Sequence, residues 1–266
     1  MKCKLGMIGG GNMGQAIVRG AIDAGVLGPH AILVAEIDPA RRKVVAELGC
    51  ATTDDPAGVL GCEQLMLAVK PQSFEEVART IAPIAEGKVV ISIMAGLSST
   101  SIRRALGEQA RVVRVMPNTP CQVGAGMAAI ALGAGARAGD EALAVAIFNA
   151  LGKTAIVPEA QMHAVTAVSG GGPAYVFLLA EAMQQAAMGL GLDEPTAQLL
   201  VRQTIYGAGK LLMETDEDAA VLRNAVTSPG GTTEAALSVM IKRDLPGIIV
   251  DGITAARNRG RALDER

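Results

Sequence analysis

A short apolar run that breaks into three glycines, with a fourth three residues on, leaves few folds open. The stretch Ile8-Gly9-Gly10-Gly11-Asn12-Met13-Gly14 contains the spacing Gly9-x-Gly11-x-x-Gly14. Lys4–Ile8 before it reads as a strand, and Gly14–Ala24 after it reads as a helix. In that setting Gly9 makes the tight turn, Gly11 lets the backbone approach a pyrophosphate, and Gly14 lets helix and strand pack closely. The amides of Asn12, Met13 and Gly14 would then face the anion at the helix N-terminus. Glu36, 22 positions beyond Gly14, closes the next strand, where a carboxylate can bond both ribose hydroxyls. Glycine is common here, at 32 of 266 residues, so the spacing alone is weak. Strand, helix and acidic residue together make it a dinucleotide site.

Up to about Pro158 the chain alternates β-branched runs with helical patterns, which predicts βαβ units and a parallel sheet. Expected strands are Lys4–Ile8, Ala31–Ala35, Gln64–Ala68, Val89–Ile93 and Val112–Val115, with a further pair at Met127–Ala131 and Thr154–Val157. Expected helices between them include Gly14–Ala24, Pro39–Leu48, Phe74–Ala82 and Ser99–Leu106. Gly25, Gly49 and Gly107 follow three of these and suit left-handed helix ends. Beyond Pro158 the patterns are helical only: Glu159–Val168, Pro173–Met188, Glu194–Glu214, Ala219–Ala225, Thr232–Arg243 and Leu245–Leu263. The division is therefore 1-158, α/β, and 159-266, all-α. Tyr175–Met188 is apolar on nearly every face, interrupted mainly by Glu181, Gln184 and Gln185, and is expected to be buried in a core or against another subunit.

Composition excludes several classes of function. With a net charge of −2, 19% charged residues and no Trp, the chain offers no basic or base-stacking surface, so no nucleic-acid partner is expected. The uncharged stretches Val115–Ala136 and Ala160–Ala180 are broken by Pro117, Pro120 and Gly170-Gly171-Gly172-Pro173, so neither reads as a membrane span. A cytoplasmic location is the expectation. Cys3, Cys50, Cys62 and Cys121 show no metal-ligand spacing, and only His30 and His163 accompany them. No metal site or disulfide is expected; the cysteines read as small buried residues.

Three further stretches carry chemistry. Ala68-Val69-Lys70-Pro71-Gln72 follows a strand, which puts Lys70 at the C-terminal sheet edge where ligands bind. Val115-Met116-Pro117-Asn118-Thr119-Pro120 places an amide between two prolines at the same edge. Thr227-Ser228-Pro229-Gly230-Gly231-Thr232-Thr233 lies between helices, and its glycines and hydroxyls form an anion nest with free backbone amides. An ordinary helix start with Thr as N-cap would not need the paired glycines.

Together these stretches resemble the pyrroline-5-carboxylate reductase family. "IGGGNMG", "AVKPQ", "VRVMPNTP", "MHAVTAVSGGGPAYVF" and "TSPGGTTEAAL" occur in the family's order over nearly the whole chain. The resemblance implies a Rossmann-like domain, followed by a helical dimerisation domain that interlocks two subunits, with larger assemblies of five dimers known. It implies reduction of 1-pyrroline-5-carboxylate to L-proline by hydride from a reduced nicotinamide, the last step of proline biosynthesis. By the same resemblance Ser228, Gly230, Gly231, Thr232 and Thr233 hold the substrate carboxylate, and Thr233 lies near the imine nitrogen. Asn118 and Lys70, with Ala68, Val69 and Pro71 around it, match cofactor-side positions. Ser169 and the Gly170–Pro173 turn line the site, and Ala95 and Gly96 border the nicotinamide.

This chemistry needs no histidine base and no metal, because a protonated cyclic imine is already electrophilic and requires mainly positioning. His163 reads as a helix-packed structural residue and Lys210 as a solvated one. Two departures from the family stand out. Ala35-Glu36-Ile37 replaces the small polar residue and Arg that suit the 2′-phosphate of NADPH, although Arg41 and Arg42 lie nearby. A carboxylate repels that phosphate, so NADH is expected to serve at least as well as NADPH. Gly171-Gly172 stands where a serine often occurs. Competing readings are a reductase of another cyclic imine or small 2-keto acid, and a non-catalytic nucleotide sensor.

Overall fold

A computed structural model describes residues 3–264. Among the described residues, eight strands form one sheet: β1 (Leu5–Ile8), β2 (Ile32–Ala35), β3 (Ala51–Thr53), β4 (Gln64–Leu67), β5 (Val89–Ser92), β6 (Arg111–Met116), β7 (Gly126–Leu132) and β8 (Gly152–Ile156). Their spatial order is β3-β2-β1-β4-β5-β6-β7-β8. The chain runs outward from β1 to β3, then returns beside β1 at β4 and runs the other way. That reversal opens a crevice at the C-terminal ends of β1 and β4, the place where open α/β sheets bind ligands. Helices α1 (Asn12–Asp23), α2 (Pro39–Glu47), α3 (Phe74–Ala85), α4 (Ser99–Leu106) and α5 (Ala142–Asn149) connect the strands.

The central strands β1, β2, β4 and β5 are nearly continuous apolar runs because both sheet faces are covered there. All four residues of β1 are buried. In β6 the side chains alternate: Val113 and Val115 join the core that holds Met7, Val34 and Phe148, whereas Val112 joins the one that holds Ile8, Leu67 and Ile102. Gly25, Gly49 and Gly107 all take positive φ just past helix ends, as expected.

Four sequence expectations change. The sheet is mixed, because β6 and β7 pair antiparallel while β7 and β8 pair parallel. Strand β3 escaped notice because it is a three-residue edge strand, Ala51-Thr52-Thr53, without an apolar run. Helix α5 has no polar face, and eight residues of it sit in what reads as a connection. Cys3 and Cys62 are joined by a disulfide across a sequence separation of 59. The spacing hides their proximity; the register Leu5↔Gln64 of the neighbouring strands β1 and β4 brings them together. Cys50 and Cys121 are free and buried.

The helical part comprises a 3-10 turn (Glu159–Gln161), α6 (Met162–Val165), a π-helical turn (Thr166–Gly170), α7 (Gly172–Gly189), α8 (Glu194–Glu214), α9 (Ala219–Ala225), α10 (Thr232–Lys242) and α11 (Leu245–Asp264). By contacts the chain divides into a unit reaching Gly171, with the end of the chain from Ala256, and a unit spanning Gly172–Ala255. The change of secondary structure after Pro158 precedes that compact boundary because Met162 and Val165 pack on Ala129 and Ala131 of β7. Within the second unit, Asp193 caps α8 by accepting the Thr196 amide at 2.9 Å, and Pro195 follows in its first turn. The apolar helix α7 leaves Phe177 65% and Leu178 67% exposed, so this chain does not itself supply the burial its sequence demands. No helix among the described residues is long and apolar enough to cross a membrane.

Candidate active site

The glycine loop explains itself sterically. Gly9 has φ +105°, and a Cβ there would lie 2.5 Å from the carbonyl oxygen of Ala68, against the end of β4. A Cβ on Gly14 would lie 2.4 Å from the Gly9 oxygen. On Gly11 it would meet nothing nearer than Arg41 Nη1 at 3.9 Å, so the space above that residue is open. Gly11 caps α1 with extended backbone and no side chain on the first amides. The amides of Asn12, Met13 and Gly14 are therefore the unpaired donors of a helix N-terminus. Met13 packs against the core while Asn12 stays exposed.

Glu36 is buried at the end of β2 and faces this loop. Its Oε2 accepts the Gly10 amide at 2.7 Å, and its Oε1 accepts the Asp38 amide at 2.9 Å. Gln15 Nε2 donates to the Gly10 carbonyl at 2.7 Å and fixes the loop from the helix side. Arg42 donates to the Glu36 carbonyl at 2.7 Å and lies 3.8 Å from Asp54, and Arg41 lies 3.8 Å from Asp38. Arg42 is thus engaged locally, whereas the half-exposed Arg41 lines the cavity with Nη1 toward Gly11.

A cavity of about 570 Å³ runs from Gly9, Gly11 and Asn12 past Glu36 to Ala68, Val69 and Lys70. Lys70 is exposed at the C-terminal end of β4, where Pro71 opens a 3-10 turn. The open face at Gly11, the unpaired helix amides, the carboxylate at the end of β2 and this cavity fit a dinucleotide.

The rest of the sheet edge brings more of the expected residues into the same unit. Beyond β5, Ala95 is exposed and Gly96 turns with φ +73°. Beyond β6, Asn118 spends its amide on the protein: Oδ1 accepts the Met127 amide at 2.9 Å and Nδ2 donates to the Ser169 carbonyl at 3.3 Å. Ser169 lies in the π-helical turn, a rare element often found at functional sites. Its Oγ is buried without a hydrogen-bond partner.

Ser228 to Thr233 belong to the second unit. Gly230 has φ +72°, and a Cβ on Gly231 would lie 2.9 Å from the Ser228 carbonyl oxygen, so both positions favour glycine. Gly231, rather than a threonine, caps α10. The Gly231 amide donates to the Ser228 carbonyl at 3.0 Å, and the Gly230 amide to Glu234 Oε2 at 2.7 Å. The two glycine amides are thus spent on shaping the loop. The exposed Thr232 and Thr233, with amides in the first helical turn and free-standing hydroxyls, remain for an anion.

Sequence reasoning missed Glu234, although an acid three residues after the N-cap is a readable capping signal. It also missed two networks at the start of α4. The Ser99 amide donates to Glu159 Oε1 at 2.8 Å, its hydroxyl bonds Glu159 Oε2, and buried Arg114 lies 3.2 Å from the same carboxylate. Asp264 accepts the Ser98 amide and lies 3.3 Å from His163 Nε2. Nothing in the sequence joins residues 166 positions apart. Lys210 is exposed and lies 3.7 Å from Glu214 on its own helix.

Residues 159–263 match the family described as pyrroline-5-carboxylate reductase dimerisation, and residues 4–96 match that described as NADP oxidoreductase, coenzyme F420-dependent. A pyrroline-5-carboxylate reductase of Synechocystis is 40% identical over 268 residues, covering 100% of both chains. One from Pasteurella multocida is 40% identical and covers 97% of this chain and 96% of its own. Among solved structures, a pyrroline-5-carboxylate reductase from Coxiella burnetii superposes with a TM-score of 0.91 at 37% identity, covering 99% of each chain. A Plasmodium falciparum pyrroline carboxylate reductase with NADP bound gives 0.88 at 29% identity, covering 98% of each.

Proposed function

The chain belongs to the pyrroline-5-carboxylate reductase family of NAD(P)-dependent oxidoreductases, and we propose that it reduces 1-pyrroline-5-carboxylate to L-proline. The observation that carries this reading is the Ser228–Thr233 turn, where Gly230 has φ +72° and the exposed Thr232 and Thr233 open α10 with the first-turn amides and hydroxyls that suit a carboxylate. When bound, a reduced nicotinamide supplies the hydride to the ring carbon of the C=N bond. Thr232 and Thr233 amides and hydroxyls hold the substrate carboxylate, while Ser228, Gly230 and Gly231 shape the loop around it. The Thr233 hydroxyl hydrogen-bonds the ring nitrogen, which carries its proton as an iminium and becomes a secondary amine. Gly9, Gly11, Asn12, Met13 and Gly14 hold the pyrophosphate through open backbone. Ala68, Val69, Lys70 and Pro71 line the adenosine side, and Ala95 and Gly96 border the nicotinamide. Ser169 offers its unpartnered hydroxyl to the site, and Asn118 acts by holding the Ser169 backbone.

We further propose that NADH serves at least as well as NADPH. Glu36, Asp38 and Asp54 set three carboxylates against Arg41 and Arg42, so the ribose end of the cavity carries one net negative charge. A 2′-phosphate there meets repulsion from this excess of carboxylates, opposed on the cavity wall by the half-exposed Arg41, whose Nε lies 3.8 Å from Asp38. The P. falciparum relative has NADP bound, so this preference is a property argued for this chain alone. The unburied faces of α7 and α8 support self-association, for which we propose an interlocked homodimer; light scattering reads dimer or decamer directly.

The test follows nicotinamide absorbance with pyrroline-5-carboxylate under each cofactor. Substrate-dependent oxidation is expected. Its absence with both cofactors refutes the reductase reading, and a strong NADPH preference refutes the argument from Glu36.

A further inference from the structure

We propose that Asp264 is a positioning residue for the hydride-transfer site, pinning the Ala95–Gly96 turn through the start of α4. The inference rests on the reading above, that this turn borders the nicotinamide.

The turn is held differently on its two sides. Met94, buried, donates its amide to Ser92 Oγ at 3.3 Å and so ties the turn back to β5. After Gly96 the chain runs through Ser98, whose Oγ accepts the Ser101 amide at 3.2 Å as the N-cap of α4. That cap fixes the helix internally but not against the rest of the unit. Two carboxylates do so. Glu159, where the helical part begins, takes the Ser99 amide and hydroxyl and is locked by buried Arg114. Asp264, at the finish of α11, takes the Ser98 amide with Oδ1, and its Oδ2 lies 3.3 Å from His163. The preceding residue closes the contact: a Cβ on Gly96 would lie 3.2 Å from Leu263 Cβ.

Helix N-terminal amides favour carboxylates, so both contacts are electrostatically natural. Their consequences differ. Glu159 anchors α4 to the sheet through Arg114 on β6. Asp264 bears on the amide two residues from Gly96, with a side chain about 15% exposed and no buried guanidinium behind it. Loss of Asp264 therefore frees the turn while leaving the helix anchored. A shift of the turn displaces the nicotinamide end of the cofactor and leaves the adenosine end, held at Gly11 and Glu36, where it was.

The experiment compares dissociation constants for NADH and for ADP-ribose, which lacks the nicotinamide, in wild type, Asp264→Ala and Asp264→Asn. Turnover is measured on the same preparations. Asp264→Ala is expected to weaken NADH several-fold and leave ADP-ribose unchanged, with kcat down roughly tenfold and the substrate KM within about twofold. Asp264→Asn keeps an oxygen for the Ser98 amide and should fall between the two. Equal weakening of both nucleotides would reveal a scaffold role and overturn the proposal, as would wild-type binding and turnover in Asp264→Ala. If the wild type binds nucleotides but does not reduce the imine, the reductase reading falls, and the two dissociation constants still decide the role of Asp264.

Discussion

Glu36 Oε2 accepts the backbone amide of Gly10 at 2.7 Å, so the end of the second strand is bonded directly to the glycine loop. The residue read from sequence as a ribose ligand is also a brace for the pyrophosphate turn. A carboxylate oxygen can accept more than one hydrogen bond, so bracing and ribose binding are compatible.

Replacing Glu36 with Ala therefore has two expected effects. Two amides lose a charged acceptor, which destabilises the fold by about 1.5–3 kcal/mol. The ratio of kcat/KM for NADPH to that for NADH should rise roughly tenfold as the negative charge at the ribose end disappears. Thermal melts and paired cofactor kinetics check the two effects separately; an unchanged ratio would remove Glu36 from cofactor choice.

Thr233→Ala should lower kcat/KM for pyrroline-5-carboxylate about 10- to 100-fold, the loss of one hydrogen bond to a charged ligand. Thr233 is exposed and makes no internal packing contribution of note, so the melting temperature should hardly move. Steady-state kinetics beside a melt distinguishes the two.

Glu234→Ala removes the acceptor of the Gly230 amide and is expected to loosen the first turn of α10 by about 0.5–2 kcal/mol, as other cap losses do. The substrate KM should rise more than kcat falls, because Glu234 shapes the nest without touching the reacting atoms.

Thiol titration tests the cysteine pairing. Burial pushes the Cys50 and Cys121 thiols up, so both stay protonated and should alkylate slowly in the native protein. Denaturation without reductant should expose two thiols, and with reductant all four. Closing a 59-residue separation contributes about 2–4 kcal/mol, so reduction should lower the denaturation midpoint measurably.

Asp193 gives a pH signature. Hydrogen bonds from the Thr196 amide and hydroxyl hold its carboxyl below the usual aspartate value. A depressed folded-state value means a stabilising contribution that is complete above the unfolded-state pKa and disappears as pH falls through the folded one. The melting-temperature gap between wild type and Asp193→Ala should therefore be constant near neutrality and close in acid.

Much of this molecule can be read locally. Gly9, Gly11 and Gly14 carry their steric roles in their spacing, and Glu194–Glu214 and Ser99–Leu106 fold over the residues that their patterns mark. What escapes is what depends on strand order and on distant pairing. The Cys3–Cys62 bond needs β1 beside β4, and the antiparallel β7 needs knowledge of which neighbour it meets. Asn118 stands out in the sequence by its setting between prolines. Its actual partners, Met127 and Ser169, come from a strand and a π turn that no spacing connects to it.

The bare faces of α7 and α8 have a thermodynamic corollary. Phe177, Leu178, Leu199 and Leu200 are each at least half exposed, although their sequences call for burial. A chain in that condition recovers the missing apolar contacts only by mass action with another copy, so monomer folding and association become one linked equilibrium. Its melting temperature should climb with protein concentration, and dilution alone should act as a denaturant.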